Sequence, residues 1–121
     1  MATTSPRAAR RPVSLDVAPL PRPGWGRVPD PQANGVESKG LLAQEDLFLA
    51  LLRFAENATI HEHTAPHEIT AICLEGRGFT SVGSESAPLH AGERVVWPVN
   101  TPHRLWTENS TMVTLMVERT A

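Results

Sequence analysis

Four of the five histidines in this chain fall at intervals that suit metal chemistry. His61, His63 and His67 are spaced by two and four residues, and His103 follows 36 residues after His67, directly behind Pro102. Side chains alternate between the two faces of a strand, so even spacing places His61 and His63 on one face. If Thr64, Ala65 and Pro66 form a turn, His67 opens the next strand and can face the same pair. Neutral imidazole is the commonest protein ligand for Zn, Fe, Mn, Ni and Cu in mixed nitrogen and oxygen sites, and three or four converging rings suffice to hold a divalent ion. A single histidine on a strand is more often a hydrogen-bonded or surface residue, and His90, next to the turn-like Ala91-Gly92, is read that way. Three clustered histidines with a fourth at a distance are harder to assign to surface decoration.

Other chemistries find less support. Cys73 sits between Ile72 and Leu74 with no base nearby in sequence, the usual setting of a packed thiol rather than a nucleophile. There is no Gly-rich phosphate loop, Ser-centred elbow or zinc-finger spacing. Parity from the histidines also suggests a pocket floor. Ile69, Ala71 and Cys73 share a face with His67, and Leu105 and Thr107 share one with His103, so the floor reads as apolar and suits a partly hydrophobic organic ligand. Trp97 and Trp106 could line the mouth of such a pocket or be buried in packing, and packing is the expected role.

The chain of 121 residues and 13.2 kDa that must position these residues is the size of one domain. It has no run of about 20 apolar residues, no charged heptads and no Gly-x-y period, which excludes a membrane helix, a coiled coil and a collagen-like chain. The lone cysteine excludes an intramolecular disulfide. With 11 Lys+Arg against 13 Asp+Glu and a net charge of −2, a dedicated nucleic-acid binder is not expected. A cytoplasmic location with neither nucleic acid nor membrane as partner is the expectation.

The charge is unevenly spread. Seven of the 11 prolines lie within the first 31 residues with five arginines and two acids, a local charge of +3 that leaves −5 for the remainder. Proline at this density fixes φ and removes backbone donors, so no helix or central strand can run through Met1 to Pro31. Residues 1–35 are read as an extended Pro- and Arg-rich arm and 36–121 as the folded domain. Arg10-Arg11 is not followed by an uninterrupted apolar stretch, because Asp16 and Pro19 break Val13 to Leu20, so no export signal is expected. The arm is either a loosely draped tail or is held by Trp25 and Val28 against the domain or a second subunit.

From Ala33 onward, short apolar runs alternate with turn signals. Strands are expected at Leu47–Phe54, Thr59–His63, Glu68–Glu75, Phe79–Val82, Ala87–His90, Arg94–Pro98, His103–Thr107 and Thr111–Glu118. They are separated by Glu56-Asn57, Ala65-Pro66, Gly76-Arg77-Gly78, Gly83-Ser84, Ala91-Gly92, Asn100-Thr101-Pro102 and Asn109-Ser110. Short strands at regular spacing, with Gly, Asn and Pro between them, indicate an all-β sandwich or barrel.

Two stretches resemble the cupins. The second cupin motif is a Gly, five residues, then Pro-x-Gly-x-x-His; here Gly92 is followed by Glu93–Trp97 and Pro98-Val99-Asn100-Thr101-Pro102-His103. Asn100 replaces the middle glycine, and Asn is the next residue most tolerant of a left-handed backbone. The first motif, His-x-His, then Glu, then six residues before a Gly, is similar to His61-Glu62-His63 and Leu74-Glu75-Gly76. Glu68, however, lies seven residues from Gly76 rather than six, and the strict register falls on Ile69. His67 shares the Ile69 face, so a first motif of His61, His63 and His67 on a longer hairpin is preferred over one using Glu68. A β-bulge near Ala65-Pro66 would restore Glu68. A second register starts the motif at His63, puts Ala65 where the second histidine belongs and loses most of the ligand set.

The resemblance covers about Leu41 to Val117. It implies a double-stranded β-helix, the RmlC-like jelly-roll barrel, usually a homodimer, with pocket and metal inside one mouth. The implied ligands are His61, His63, His67 and His103, holding a divalent transition metal such as Zn, Fe, Mn or Ni. The implied partner is a small organic molecule. Cupins include dioxygenases, isomerases, lyases, cyclases and non-catalytic binders, so the expectation is a metal-dependent enzyme acting on a small organic molecule, with a non-catalytic ligand-binding or sensor protein as the alternative.

Overall fold

The computed structural model describes residues 14–21, 24–29 and 31–120; the paired Arg10 and Arg11 lie outside them. The described residues form strands and no helix: β1 (Gly26–Arg27), β2 (Ala33–Ala43), β3 (Leu47–His63), β4 (Ile69–Val82), β5 (Glu85–His90), β6 (Arg94–Trp97), β7 (His103–Trp106) and β8 (Met112–Arg119). Thus none is a helix long and apolar enough to cross a membrane. All pairings are antiparallel. β3 pairs with both β7 and β8, and β4 pairs with the same two, so these four strands close a barrel. β2 and β1 extend it beyond β3, while β5 and β6 extend it beyond β4.

Two sequence signals expected to end strands lie inside them. β3 runs unbroken through Glu56-Asn57, pairing with β8 over Leu47–Phe54 and with β7 from Thr59 onward. β4 runs through Gly76-Arg77-Gly78, passing from β8 to β7. Asn57 and Gly76 have φ of 54° and 72°, so each turns a strand around a barrel corner instead of reversing the chain. A Cβ on Gly76 would run into the Thr111 carbonyl. β2 was not among the expected strands: its Asn-Gly and Ser-Lys-Gly content is poor in strand formers, and pairing with the apolar β3 overrides that.

Inward side chains fall into rows across β3, β8 and β4. Ala50, Met116 and Ala71 are in register, as are Leu52, Thr114 and Cys73, and all six are buried. Each fully buried Leu or Met contributes about 1.5–3 kcal/mol relative to exposure. The row nearer the strand ends holds Phe48, Glu118 and Ile69, with Trp97 of β6 beside Ile69.

The segment preceding β2 is tied to the barrel at several points. β1 pairs with Glu37 and Ser38, Val28 donates a backbone hydrogen bond to Val36 at 2.9 Å, and its side chain packs on the core. The Trp25 ring lies 4.3 Å from the Arg53 guanidinium carbon and 5.8 Å from the Lys39 ammonium. Arg53 also pairs with Glu37 at 2.7 Å. Trp25 and Val28 therefore pack on this chain itself, and the cation–π contact adds about 0.5–1 kcal/mol at an exposed site.

Candidate functional site

The site begins with the loop between β6 and β7. Gly92, at φ 90°, ends the turn before β6, and Asn100, at φ 54°, takes the left-handed conformation expected where cupins carry glycine. The Asn100 amide donates to the Ala65 carbonyl at 2.8 Å, tying this loop to the one that carries His67. The chain then enters β7 with His103 fully buried. Its ring stacks on Trp97, with centroids 4.1 Å apart and planes 9° from parallel. Trp97 is fixed in turn: its indole N–H donates to Thr80 Oγ1 at 3.0 Å, and that hydroxyl donates to the Arg104 carbonyl at 2.9 Å. His103 Nδ1 donates to the Thr101 carbonyl at 3.0 Å. Aromatic stacking, a hydrogen-bond chain and a backbone acceptor leave this imidazole one orientation.

The opposing histidine comes from the end of β3. Ile60 pairs with Leu105 and His63 with His103, so β3 carries one residue more than β7 across this interval. This β-bulge changes the alternation. Ile60 is buried, His61 and Glu62 are exposed, and His63 is half-buried beside His103. The even spacing that placed His61 and His63 on one face therefore fails at the bulge, which lies at His61-Glu62 and not near Ala65-Pro66. His61 serves the site through its backbone, its carbonyl accepting from His63 Nδ1 at 2.9 Å.

The two rings meet at Nε2, 3.2 Å apart, with centroids separated by 4.4 Å and planes at 73°. Their carbonyl acceptors assign the Nδ1–H tautomer to both, leaving a lone pair on each Nε2. Two facing lone pairs at this distance repel unless a positive charge lies between them. A metal ion meets that need: cis ligands bound at about 2.1 Å lie about 3.0–3.4 Å from each other. Burial pushes the pKa of His103 below its ordinary value of 6.5, His63 pushes it the same way, and the Thr101 carbonyl opposes both. The buried ring thus favours its neutral, ligating form.

The remaining histidines are not gathered with this pair. His67 is half-buried in the irregular stretch between β3 and β4, Glu68 is exposed, and His90 is exposed with Nδ1 3.1 Å from Glu93. Among the described residues, no group of three or more His, Cys, Asp or Glu side chains is placed to hold a metal ion. Cys73 is buried and its pKa is raised, first by burial, so it is a packing residue.

His63 and Trp97 line a cavity of about 510 Å³ in the barrel, whose wall is largely apolar and includes Ile60, Ile69 and Met116. Of the expected floor, Ile69 lines the cavity, whereas Ala71, Cys73, Leu105 and Thr107 are buried in the packing beneath it. Trp106 packs elsewhere, stacked on Phe79 at 5.7 Å. Sequence reasoning missed Glu118, which also lines the cavity. Its signal was available, since it is four residues beyond Thr114 and two beyond Met116 on one alternating face. A larger groove of about 710 Å³ lies along β1 and β2, lined by Val28, Gly35 and Ala55, and holds no imidazole.

Comparison with known proteins bears on this geometry. A family model described as the cupin domain matches residues 50–118, more than half of the chain. The chain belongs to the cupin family. No curated protein sequence matches it. Among solved structures, this cupin is similar to KdgF from Halomonas sp., with a TM-score of 0.73 and 18% identity, covering 81% of this chain and 88% of that one. It is similar to the polyketide cyclase RemF from Streptomyces resistomycificus, with a TM-score of 0.75 and 18% identity over 90% and 81% of the two chains. A predicted oxalate decarboxylase from Thermotoga maritima gives a TM-score of 0.74 and 18% identity over 80% and 92%. At this identity the likeness shows the cupin fold alone.

Proposed function

We propose that this cupin is a metal-dependent enzyme acting on a small, partly apolar organic molecule, with His63 and His103 as its fixed metal ligands. The supporting observation is the 3.2 Å approach of two Nε2 atoms whose opposite nitrogens are both committed to backbone carbonyls. The donor set fits a divalent transition metal, because two neutral imidazoles offer nitrogen lone pairs to one point. His61 and His67, on the flanking stretch, are the further imidazoles of the proposed set. Four neutral ligands would leave the ion's +2 charge uncompensated, which favours an anionic or oxygen-rich ligand. A bound divalent ion supplies Lewis acidity to an oxygen of that ligand.

The chain's own residues do the rest. Trp97 holds His103 in its ligating orientation, the His61 and Thr101 carbonyls hold both tautomers, and the apolar wall excludes water from the ligand's body. Solved neighbours described as a polyketide cyclase, DMSP lyases and a predicted oxalate decarboxylase are consistent with a cupin scaffold turned to small-molecule chemistry. A non-catalytic ligand-binding or sensor role is the second reading, favoured by the gathering of only two of the histidines. A homodimer is the proposed assembly, as is usual for cupins.

Metal analysis of wild type, His63→Ala and His103→Ala after expression with Fe, Mn, Ni and Zn tests the proposal. Stoichiometric metal in wild type and its loss in both variants is expected. Wild type holding less than about 0.1 ion per chain would overturn it.

A further inference from the structure

Among the described residues, Glu118 is the one carboxylate that lines the His63 cavity. It follows Thr114 and Met116 on the inward face of β8; those two are buried at 0% and 8% exposure, and Glu118 is half-buried. Its cross-strand neighbours are Phe48 on β3 and Ile69 on β4, so apolar groups flank it on both sides. The described residues do not neutralise it. Among the described residues, the ion pairs are Arg53–Glu37 and His90–Glu93, and Arg27, which lines the same cavity from β1, forms none with Glu118. No buried polar side-chain atom among the described residues lacks a partner, so the Glu118 oxygens are accessible, on a residue that lines the cavity.

The same row continues from Glu118 through Ile69 to Trp97, which stacks on His103 and lies 6.4 Å from the His63 ring. Glu118 and Trp97 are therefore two strand spacings apart, about 10 Å between backbones. A small molecule in the cavity can reach His63 with one end and Glu118 with the other. We infer that Glu118 is a specificity-determining residue that binds an ammonium group, so the ligand is amphoteric: an oxygen toward the ion proposed at His63 and His103, an apolar body along Ile69 and Met116, and a cationic amine toward Glu118.

This inference rests on the proposed function of the cavity, and matched probes separate the two. Full-length protein loaded with metal is titrated calorimetrically with 4-(aminomethyl)benzoate against 4-methylbenzoate, and with 5-aminopentanoate against pentanoate. Wild type is expected to bind the ammonium member of at least one pair about tenfold more tightly. Glu118→Gln, checked by a melting curve superposable on wild type, brings that ratio to about one and leaves binding of the member without the ammonium unchanged. His63→Ala weakens both members and keeps the ratio. Equal binding of both members by wild type, or a ratio that survives Glu118→Gln, overturns the role of Glu118 while the proposed function stands. Failure of wild type to bind any of the four overturns the inference about Glu118, while the metal content of the same preparation decides the proposed function separately.

Discussion

His103 and His61 sit at opposite extremes of one candidate site. His103 is fully buried, stacked on Trp97 and fixed by the Thr101 carbonyl, whereas His61 is exposed and contributes a carbonyl through a bulged strand. The half of the site built from β6, β7 and the loop between them is finished by packing that the fold needs in any case. The half built from the end of β3 and the stretch before β4 is finished by a backbone irregularity and a short loop. Packing against a core gives a ligand one orientation at no separate cost. An exposed side chain must lose its rotamer freedom when an ion recruits it.

The contrast breaks most readily at Trp97. Trp97→Ala removes a buried indole and leaves the Thr80 hydroxyl without its donor; it should lower unfolding free energy by about 3–5 kcal/mol in denaturant melts. His67→Ala, on the opposite half, should stay within about 0.5 kcal/mol, as exposed or half-exposed polar sites generally do. A loss at His67 equal to that at Trp97 would mean both halves are packed alike.

Metal affinity sharpens the same contrast. His103→Ala should weaken binding by more than about 100-fold in competition titrations, while His61→Ala or His67→Ala should weaken it by about tenfold. Equal losses would show that the loaded site treats all the imidazoles alike. A smaller effect is expected at Asn100, whose φ is 54°. Asn100→Ala should cost about 1 kcal/mol in the same melts, and Asn100→Gly should be neutral or slightly stabilising.

The smallest effect is the pH dependence of the metal-free chain. The pKa of His103 is lowered below 6.5 in the folded state, so as pH falls past 6.5 the unfolded chain takes up a proton that the folded chain refuses. Stability should therefore decline from pH 6.5 down to the folded pKa and level off beneath it, and His103→Gln should flatten that part of the curve. A metal-free chain that gains stability on acidification through this window would contradict the buried, neutral ring.

Much of this was legible in the residues. The all-β class followed from short apolar runs and turn signals, and the β6–β7 loop from the proline, asparagine and glycine positions around His103. Asn100 adopting a left-handed backbone is a local property, set by its own side chain and its neighbours. What could not be read were the corners at Asn57 and Gly76 and the bulge at His61-Glu62. A positive-φ residue looks the same in sequence whether it reverses a chain or bends a strand, and the partner strand decides between the two. The parity of His61 and His63 likewise depends on β7, 40 residues away from His63 at its His103 partner, and not on the spacing within β3. Glu118 was overlooked for a different reason: an acid near the end of a strand looks like solvent-facing polarity until its register is fixed by Phe48 and Ile69.

The one-residue bulge in β3 also sets the kind of donor that the barrel offers. Without it, regular pairing from Ile60 opposite Leu105 would carry Glu62, not His63, to the place opposite His103. A carboxylate there would subtract a charge from whatever cation the pair holds and change its preference among metals and oxygen ligands. Loss of a single residue between Ile60 and His63 would let the strands pair regularly with His63 still opposite His103, so it is the bulge, absorbing the extra residue, that keeps imidazole rather than carboxylate facing His103. Which side chain faces His103 is thus recorded in where a strand bulges, a property of its pairing with β7 and not of the spacing of its own residues.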